Sequence, residues 1–431
     1  MNEATPLLPT TAAPKASSSS QLYLPLILIA SDNNLFIMLT TILAGVCLLP
    51  SALVLVGSFV VVGILSIPGL ALLCYRKPDA VDKNSKKNTA THRRAIVTGG
   101  SSGIGLCVAK YCVQQQLFDE LIIIARNQQK LDKALKQLKD LQSKSDNPSL
   151  KITALSVDIS KPEALQKAAT QIFGKKDDNE ETPSISTSLF CIAGTTYPEY
   201  FEKLTPTEFE LNVRTNQLGS IYTVHAFLPH MTQGTIVLCS SMAGQVGTFG
   251  FTAYSPTKYA LRGFAEALQQ EVCHRPIAVC VAYPPDTETP GFEQENLTKP
   301  PECHLISEDG GLHQPEEIAK ILVDKAMQRY PPFGIYFNFD AWMLCNLTAG
   351  MGPVTTLLDA LSQVAGMGLF RLISLFYLSE WTRMIRAYAE KKQTENTDTT
   401  KEATVTAKKN PTLEAKATDV SDASEKTVSK N

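Results

Sequence analysis

The sequence predicts an α/β chain: a doubly wound parallel sheet, preceded by an apolar N-terminal anchor and followed by apolar C-terminal helices. Three observations carry that prediction. Between residues 94 and 335, short apolar runs alternate with helical patterns. A glycine-rich turn joins the first run to the first helix. Long uncharged stretches lie outside that block on both sides. Regular alternation of strand and helix implies a parallel sheet covered on both faces, and such sheets bind ligands beyond the carboxyl ends of their strands.

Residues 1–21 are rich in Ser, Thr, Ala and Pro and are expected to be disordered. Residues 22–75 form the expected transmembrane anchor. Ser51 to Tyr75 carries no charge; as a helix it would be about 37 Å long, enough to cross a bilayer core of ~30 Å. Pro68 sits late in it, and Leu35 to Leu49 is a second, shorter uncharged stretch ended by Pro50. One spanning helix and a two-helix hairpin both satisfy these lengths. The bland alternative is a buried helix of a soluble fold. No basic segment precedes the apolar core, which argues against a cleaved signal peptide. Residues 76–93 form a basic linker, with Arg76, Lys77, Lys83, Lys86, Lys87, Arg93 and Arg94 at or just beyond it, whereas Lys15 is the sole basic residue before the anchor. The excess places everything after residue 75 in the cytosol. Asn296-Leu-Thr and Asn346-Leu-Thr, which match glycosylation acceptors, would go unused there.

In order, the strand candidates are Ala95–Val97, Leu121–Ala125, Ile152–Val157, Ser188–Ala193, Gly234–Cys239 and Ile277–Ala282. Helical patterns follow the first three, to about Gln115, to about Lys144 and from Pro162 to Phe173. The polar stretch Gly174–Thr187 reads as a surface loop. Residues 336–390 are rich in Leu, Met and Phe, and between Leu357 and Leu378 the charges are Asp359 and Arg371. One or two helices at a membrane interface fit this composition; extra core, a dimer face or an interrupted second span fits it too. The tail, 391–431, has eight Lys against seven acids and no aromatic residue, and is expected to be disordered.

Composition narrows the function. With 40 basic against 42 acidic residues the chain offers no footprint for nucleic acid. Ten scattered cysteines without a CxxC pair suit reduced thiols in the cytosol. No metal-ligand spacing occurs: HExxH is missing and His225 and His230 stand five apart. No metal is expected.

Two constellations carry chemistry. Thr98-Gly99-Gly100-Ser101-Ser102-Gly103-Ile104-Gly105 lies between the first strand and the first helix. There Gly99 lets the chain turn, Gly103 admits a pyrophosphate to the backbone, and Gly105 brings helix and sheet close. Ser101 and Ser102 add hydroxyl donors. The second strand ends in Ala125-Arg126, with Lys130 a helical turn on. A carboxylate at that point would bind the 2′-hydroxyl of NAD; two cations favour NADPH. The alternative is a solvated Arg and Lys at the start of a polar helix. Tyr254 and Lys258, four apart, share one helix face, and Ser241 precedes Tyr254 by thirteen residues. An ammonium beside the phenol would lower its pKa from near 10, so that Tyr254 donates a proton to a carbonyl oxygen held by Ser241. Ser240 is the neighbouring alternative to Ser241.

These motifs, in this order, resemble the short-chain dehydrogenase/reductase superfamily, whose fold is Rossmann-type. That resemblance implies that Asn216, in Asn-Gln-Leu-Gly, binds a relay water leading to Lys258. It implies that Asp158 lies near the adenine, although a local capping role is the alternative. It also implies that Thr287, after Tyr283-Pro-Pro-Asp, touches the nicotinamide. Cys191-Ile-Ala-Gly194 departs from the superfamily's Asn-x-Ala-Gly, which puts the local strand tie in doubt.

Substrate-side segments narrow the resemblance. Ser240–Tyr254, Leu261–Val272, Val281-Ala-Tyr-Pro-Pro-Asp-Thr-Glu-Thr-Pro-Gly-Phe292, Met351-Gly-Pro-Val354 and Met367-Gly-Leu-Phe370 are similar to the 3-ketodihydrosphingosine reductase family over roughly residues 94–390. The resemblance implies an endoplasmic-reticulum enzyme, cytosolic in its catalytic domain, that reduces a long-chain lipid ketone, 3-ketosphinganine, with NADPH. Two alternatives stay open: a membrane reductase of a steroid, retinoid or 3-ketoacyl ketone, and a non-catalytic scaffold. A homodimer is compatible with the sequence.

Overall fold

The computed structural model describes residues 92–144, 148–174, 185–308, 310–354 and 357–409, with side chains through 395 in the last segment. The predicted head and anchor, and the linker up to residue 91, lie outside the described residues.

Seven parallel strands form the sheet, in the order β3-β2-β1-β4-β5-β6-β7. They are β1 (His92–Thr98), β2 (Glu120–Ala125), β3 (Lys151–Ser156), β4 (Ile185–Cys191), β5 (Gln233–Cys239), β6 (Ile277–Tyr283) and β7 (Gly334–Tyr336). Six match the predicted runs to within a few residues. The strand β1 starts two residues before the predicted domain edge, inside the expected basic linker. The strand β4 starts inside the stretch read as loop, because Ile185–Thr187 pair with β1 and extend the ladder. The seventh strand, β7, is a three-residue edge too short to show alternation.

The chain winds outward twice from the centre, first through β1 to β3 and then through β4 to β7. The reversal puts a crevice at the carboxyl ends of β1 and β4, where doubly wound sheets bind ligands. Helices α1 (Gly103–Gln114), α2 (Gln128–Gln142) and α3 (Pro162–Phe173) follow the first three strands. Beyond β4 come α4 (Pro206–Asn212), a π-helical turn (Val213–Leu218) and α5 (Gly219–Phe227). Helix α6 (Ser255–Val272) leads into β6. Helices α7 (Pro290–Asn296), α8 (Pro301–Glu308) and α9 (Pro315–Ala326) precede β7.

Alternation along the strands divides the core in two. Ile96, Ile122 and Ile124 pack with Leu165 of α3, Phe227 of α5 and Leu268 of α6. Ala95, Val97, Leu121 and Ile123 point the other way, onto Val108 of α1, Leu138 of α2 and Leu322 of α9. Strands buried on both faces need continuous apolar sequence, which explains Glu-Leu-Ile-Ile-Ile-Ala in β2. At the opposite end of the sheet from the crevice, the register aligns Arg94, Glu120 and Lys151. Arg94 Nε lies 2.6 Å and Lys151 Nζ 3.0 Å from the Glu120 carboxylate. Burial opposes the charge on Glu120, but these two cations outweigh it and hold its pKa below the usual range. All eight cysteines of the described residues are free thiols.

The C-terminal region comprises α10 (Phe339–Leu347) and a single 53-residue helix, α11 (Leu357–Lys409). Arg262 of α6 fastens the turn after α10: its guanidinium donates to Gln245 Oε1, Thr348 Oγ1 and the Ala349 carbonyl. The tail was expected to be disordered from residue 391, yet α11 continues through 409. No Gly or Pro interrupts that stretch, and Lys391 stands one turn from Glu395. The described part of α11 up to Glu395 is long and apolar enough, by length and composition alone, to cross a membrane.

Candidate active site

The turn after β1 is held by backbone. Gly99 N and Gly100 N both donate to the Ile124 carbonyl of β2, and Gly99 takes a left-handed φ of 74°. A Cβ on Gly105 would lie 2.4 Å from the Gly99 carbonyl oxygen, so only glycine lets α1 start this close to the turn. Ser102 occupies the N-cap of α1 without a side-chain bond to the helix, so no capping side chain claims the first N–H groups. That is an anion-binding arrangement.

The crevice opens into a cavity of about 1080 Å³, larger than the ~300–1,000 Å³ usual for one ligand. Gly99, Ser101, Ser102, Gly103, Ile104 and Gly105 line one end, with Arg126, Asn127 and Lys130 beside them. Ser241, Tyr254, Lys258 and Thr287 line the middle. Tyr377, Leu378 and Trp381 of α11 lie at the far wall. Glycines without room for a Cβ, an uncapped helix start and two cations at the end of β2 together fit a dinucleotide. Arg126 and Lys130 form no ion pair with another described residue.

The middle of the cavity is built from α6 and the end of β5. Lys258, fully buried, donates from Nζ to the Cys239 carbonyl at 2.8 Å and stands 5.4 Å from the centre of the Tyr254 ring. Ser241 beside the Tyr254 hydroxyl favours the phenolate. The sequence led us to expect a phenol pKa below 10. Burial overrides that: desolvation, then the negative field of Glu295, push Tyr254 well above its ordinary value. Burial also lowers Lys258. Ser240, the neighbouring alternative, turns away to donate to the Lys258 carbonyl at 2.9 Å.

Two predicted residues stand apart from the cavity lining. Asn216 is fully buried in the π-helical turn, where its Nδ2 donates to the Thr195 carbonyl at 2.8 Å and its Oδ1 accepts from Thr195 N at 2.8 Å. It holds the loop after β4, whose Gly194 lies beside both Asn216 and Lys258. The Asp158 carboxylate accepts from the Ser160 backbone and hydroxyl, at 3.0 and 2.8 Å. Val157 and Ile159 line the cavity in its place, so Asp158 serves a local turn. The strand tie put in doubt by Cys191 is supplied by Thr98. Its hydroxyl accepts from Ile192 N and Ala193 N, at 3.1 and 3.3 Å.

Asn127, Thr289, Asp286 and Glu295 line the cavity without having been singled out. Asn127 and Thr289 carried a signal: each caps a helix, and Thr289 stands before a proline. Glu295 carried none, since an acid in a short polar helix looks solvated.

The short chain dehydrogenase family profile matches residues 93–300. The 3-dehydrosphinganine reductase of Danio rerio is 41% identical over 74% of this chain and 93% of its own length. The 3-ketodihydrosphingosine reductase of Mus musculus is 43% identical over 68% of this chain and 85% of its own. This chain belongs to that reductase family, within the short-chain dehydrogenases. Among solved structures, an alcohol dehydrogenase from Thermococcus sibiricus complexed with 5-hydroxy-NADP is similar at 22% identity and a TM-score of 0.45, over 57% of this chain and 95% of its own. In this family member the Ser241 hydroxyl, the Tyr254 phenol and the Lys258 ammonium line one cavity.

Proposed function

We propose that the chain reduces the C3 ketone of 3-ketosphinganine to sphinganine with NADPH, at the cytosolic face of the endoplasmic reticulum membrane. The observation that carries this reading is one continuous cavity. It runs from the glycine cradle, past Ser241, Tyr254 and Lys258, to the apolar helix α11, in a chain over 40% identical to reductases named for that ketone.

In this reading the α1 N-terminus and the backbone of residues 99–105 hold the pyrophosphate. Arg126 and Lys130 hold the 2′-phosphate through charge-assisted contacts worth roughly 1.5–3 kcal/mol each. Thr287 and Tyr254 would hold the nicotinamide end. Bound there, NADPH supplies the hydride that reduces the ketone carbon. Ser241 holds the ketone oxygen, and Tyr254 gives that oxygen its proton. The raised pKa of the phenol keeps that proton in place until the substrate oxygen gains charge. The bond that breaks is Tyr254 O–H and the bond that forms is the product hydroxyl. Lys258 stabilises the phenolate left behind until a solvent proton restores it. Asn216 holds the Thr195 loop against this group.

The outer surface of α11 supports a membrane setting. Leu369, Leu372 and Phe376 are 60–65% exposed, an apolar stripe that water solvates poorly. Resting on a bilayer would cover it and place the cavity wall beside a lipid-borne substrate, with residues 22–75 as the anchor. The test is NADPH oxidation by the detergent-solubilised full chain supplied with 3-ketosphinganine, run beside NADH. NADPH-dependent formation of sphinganine is expected. Turnover of a steroid or 3-ketoacyl ketone with none of 3-ketosphinganine overturns the assignment.

A further inference from the structure

The cavity wall next to Tyr254 carries more acid than ketone reduction needs. Asp286, after β6, and Glu295, on α7, both line it, and Lys299 sits behind them. Lys299 Nζ lies 2.9 Å from the Glu295 carboxylate and 3.8 Å from that of Asp286. The Lys299 side chain has no exposed surface, while Asp286 keeps 34% and Glu295 12% of theirs. The acids therefore face the cavity and their one cation does not. The Phe251 and Phe292 rings seal Lys299 in, at 5.7 and 4.7 Å, and Phe251 in turn stands 5.6 Å from the Tyr254 ring.

Two carboxylates against one ammonium leave this patch of the wall one negative charge in excess, and the nearby Lys258 ammonium, beside Tyr254, is turned to the Cys239 carbonyl. Asp340 and Arg371, in the far wall, carry one charge of each sign. Burial raises the pKa of Glu295 against the lowering pull of Lys299. A buried charge is tolerated when paired, so the arrangement calls for a cation delivered by the ligand. The candidate ketones differ on this point. Steroid, retinoid and 3-ketoacyl ketones bring no cation, whereas 3-ketosphinganine bears an ammonium on the carbon next to its ketone.

We infer that Glu295 and Asp286 are the specificity-determining acids of this cavity, receiving the substrate ammonium while Ser241 and Tyr254 take the ketone oxygen. This rests on the substrate reading above. It also gives that reading a reason: the amine fixes which ketone presents itself and from which side.

The test compares 3-ketosphinganine with 1-hydroxyoctadecan-3-one, which keeps the hydroxyl, ketone and chain and lacks the amine. Both are assayed with the full-length wild type, Glu295→Gln and Asp286→Asn, and NADPH binding is titrated by fluorescence to verify a folded site. Wild type should prefer the amine by more than about tenfold in kcat/KM. That preference should fall at least about tenfold in Glu295→Gln, through KM for the amine substrate. If Glu295→Gln loses NADPH binding, Asp286→Asn carries the test with the same criterion. Equal wild-type efficiency on the two ketones, or a preference unmoved in the variants, overturns the inference and leaves the substrate assignment standing. No wild-type turnover of either ketone overturns both.

Discussion

In the proposed function the two sides of the cavity would recognise their ligands by different means. On the β1–β2 side the contacts are backbone: a left-handed Gly99, the uncapped start of α1, and a Gly105 with no room for a side chain. On the β5–β6 side they are side chains: Ser241, Tyr254, Lys258, Asp286 and Glu295. The difference teaches how each side fails. A backbone cradle is damaged by any added atom and takes the local fold with it. A side-chain site loses its chemistry to the removal of one oxygen while the fold stands.

The sharpest way to draw that line is Tyr254→Phe. It removes the proposed proton donor and leaves the ring against Phe251. Turnover should fall about 10³-fold, with the thermal midpoint within about 2 °C of wild type. A variant that keeps more than a tenth of the activity would mean that another group donates the proton. Next in size is Gly105→Ala. Its new Cβ meets the Gly99 carbonyl at 2.4 Å, so α1 must move off the turn. Cofactor affinity should weaken roughly 10²-fold, about 2.7 kcal/mol, and the thermal midpoint should fall as well. An unchanged titration would show that the cradle tolerates side chains.

What the sequence made legible follows the same division. The backbone side is a local motif, because a turn and a helix start occupy eight consecutive residues, so spacing alone located it. Tyr254 and Lys258 were legible because one helix turn separates them. Glu295 and Lys299 stand at i,i+4 spacing and could have been paired from sequence, but Asp286 joins them from the loop after β6, and no periodicity encodes that. The phenol pKa was misjudged for a related reason. Spacing reveals the neighbouring ammonium, but the depth of burial is a property of the whole fold. The helix α11 was legible in its apolar half, while its charged half offered only the absence of breakers.

Arg126 is a side chain on the backbone side and tests whether the division is absolute. Arg126→Asp should leave the cradle intact and shift preference from NADPH towards NADH by roughly 10- to 100-fold. The ratio of kcat/KM for the two cofactors checks it. If the ratio stays put, Lys130 alone, or the backbone, selects the phosphate.

The smallest effect belongs to Thr98, at the seam between the two sides. Its hydroxyl accepts from Ile192 N and Ala193 N, doing the work expected of an Asn at position 191. Thr98→Val keeps shape and volume but removes the oxygen and strands two N–H groups. Leaving a buried donor unpaired costs about 1–3 kcal/mol, and relaxation of the loop offsets part of it. A net loss of about 2 kcal/mol should lower the thermal midpoint by roughly 4–8 °C. Because the same loop carries Thr195, which Asn216 grips, kcat should fall less than about fivefold provided that grip holds. A stability loss with a much larger loss of kcat would show that strand tie and catalytic geometry are one unit. The seam, rather than either side alone, would then set the position of Tyr254.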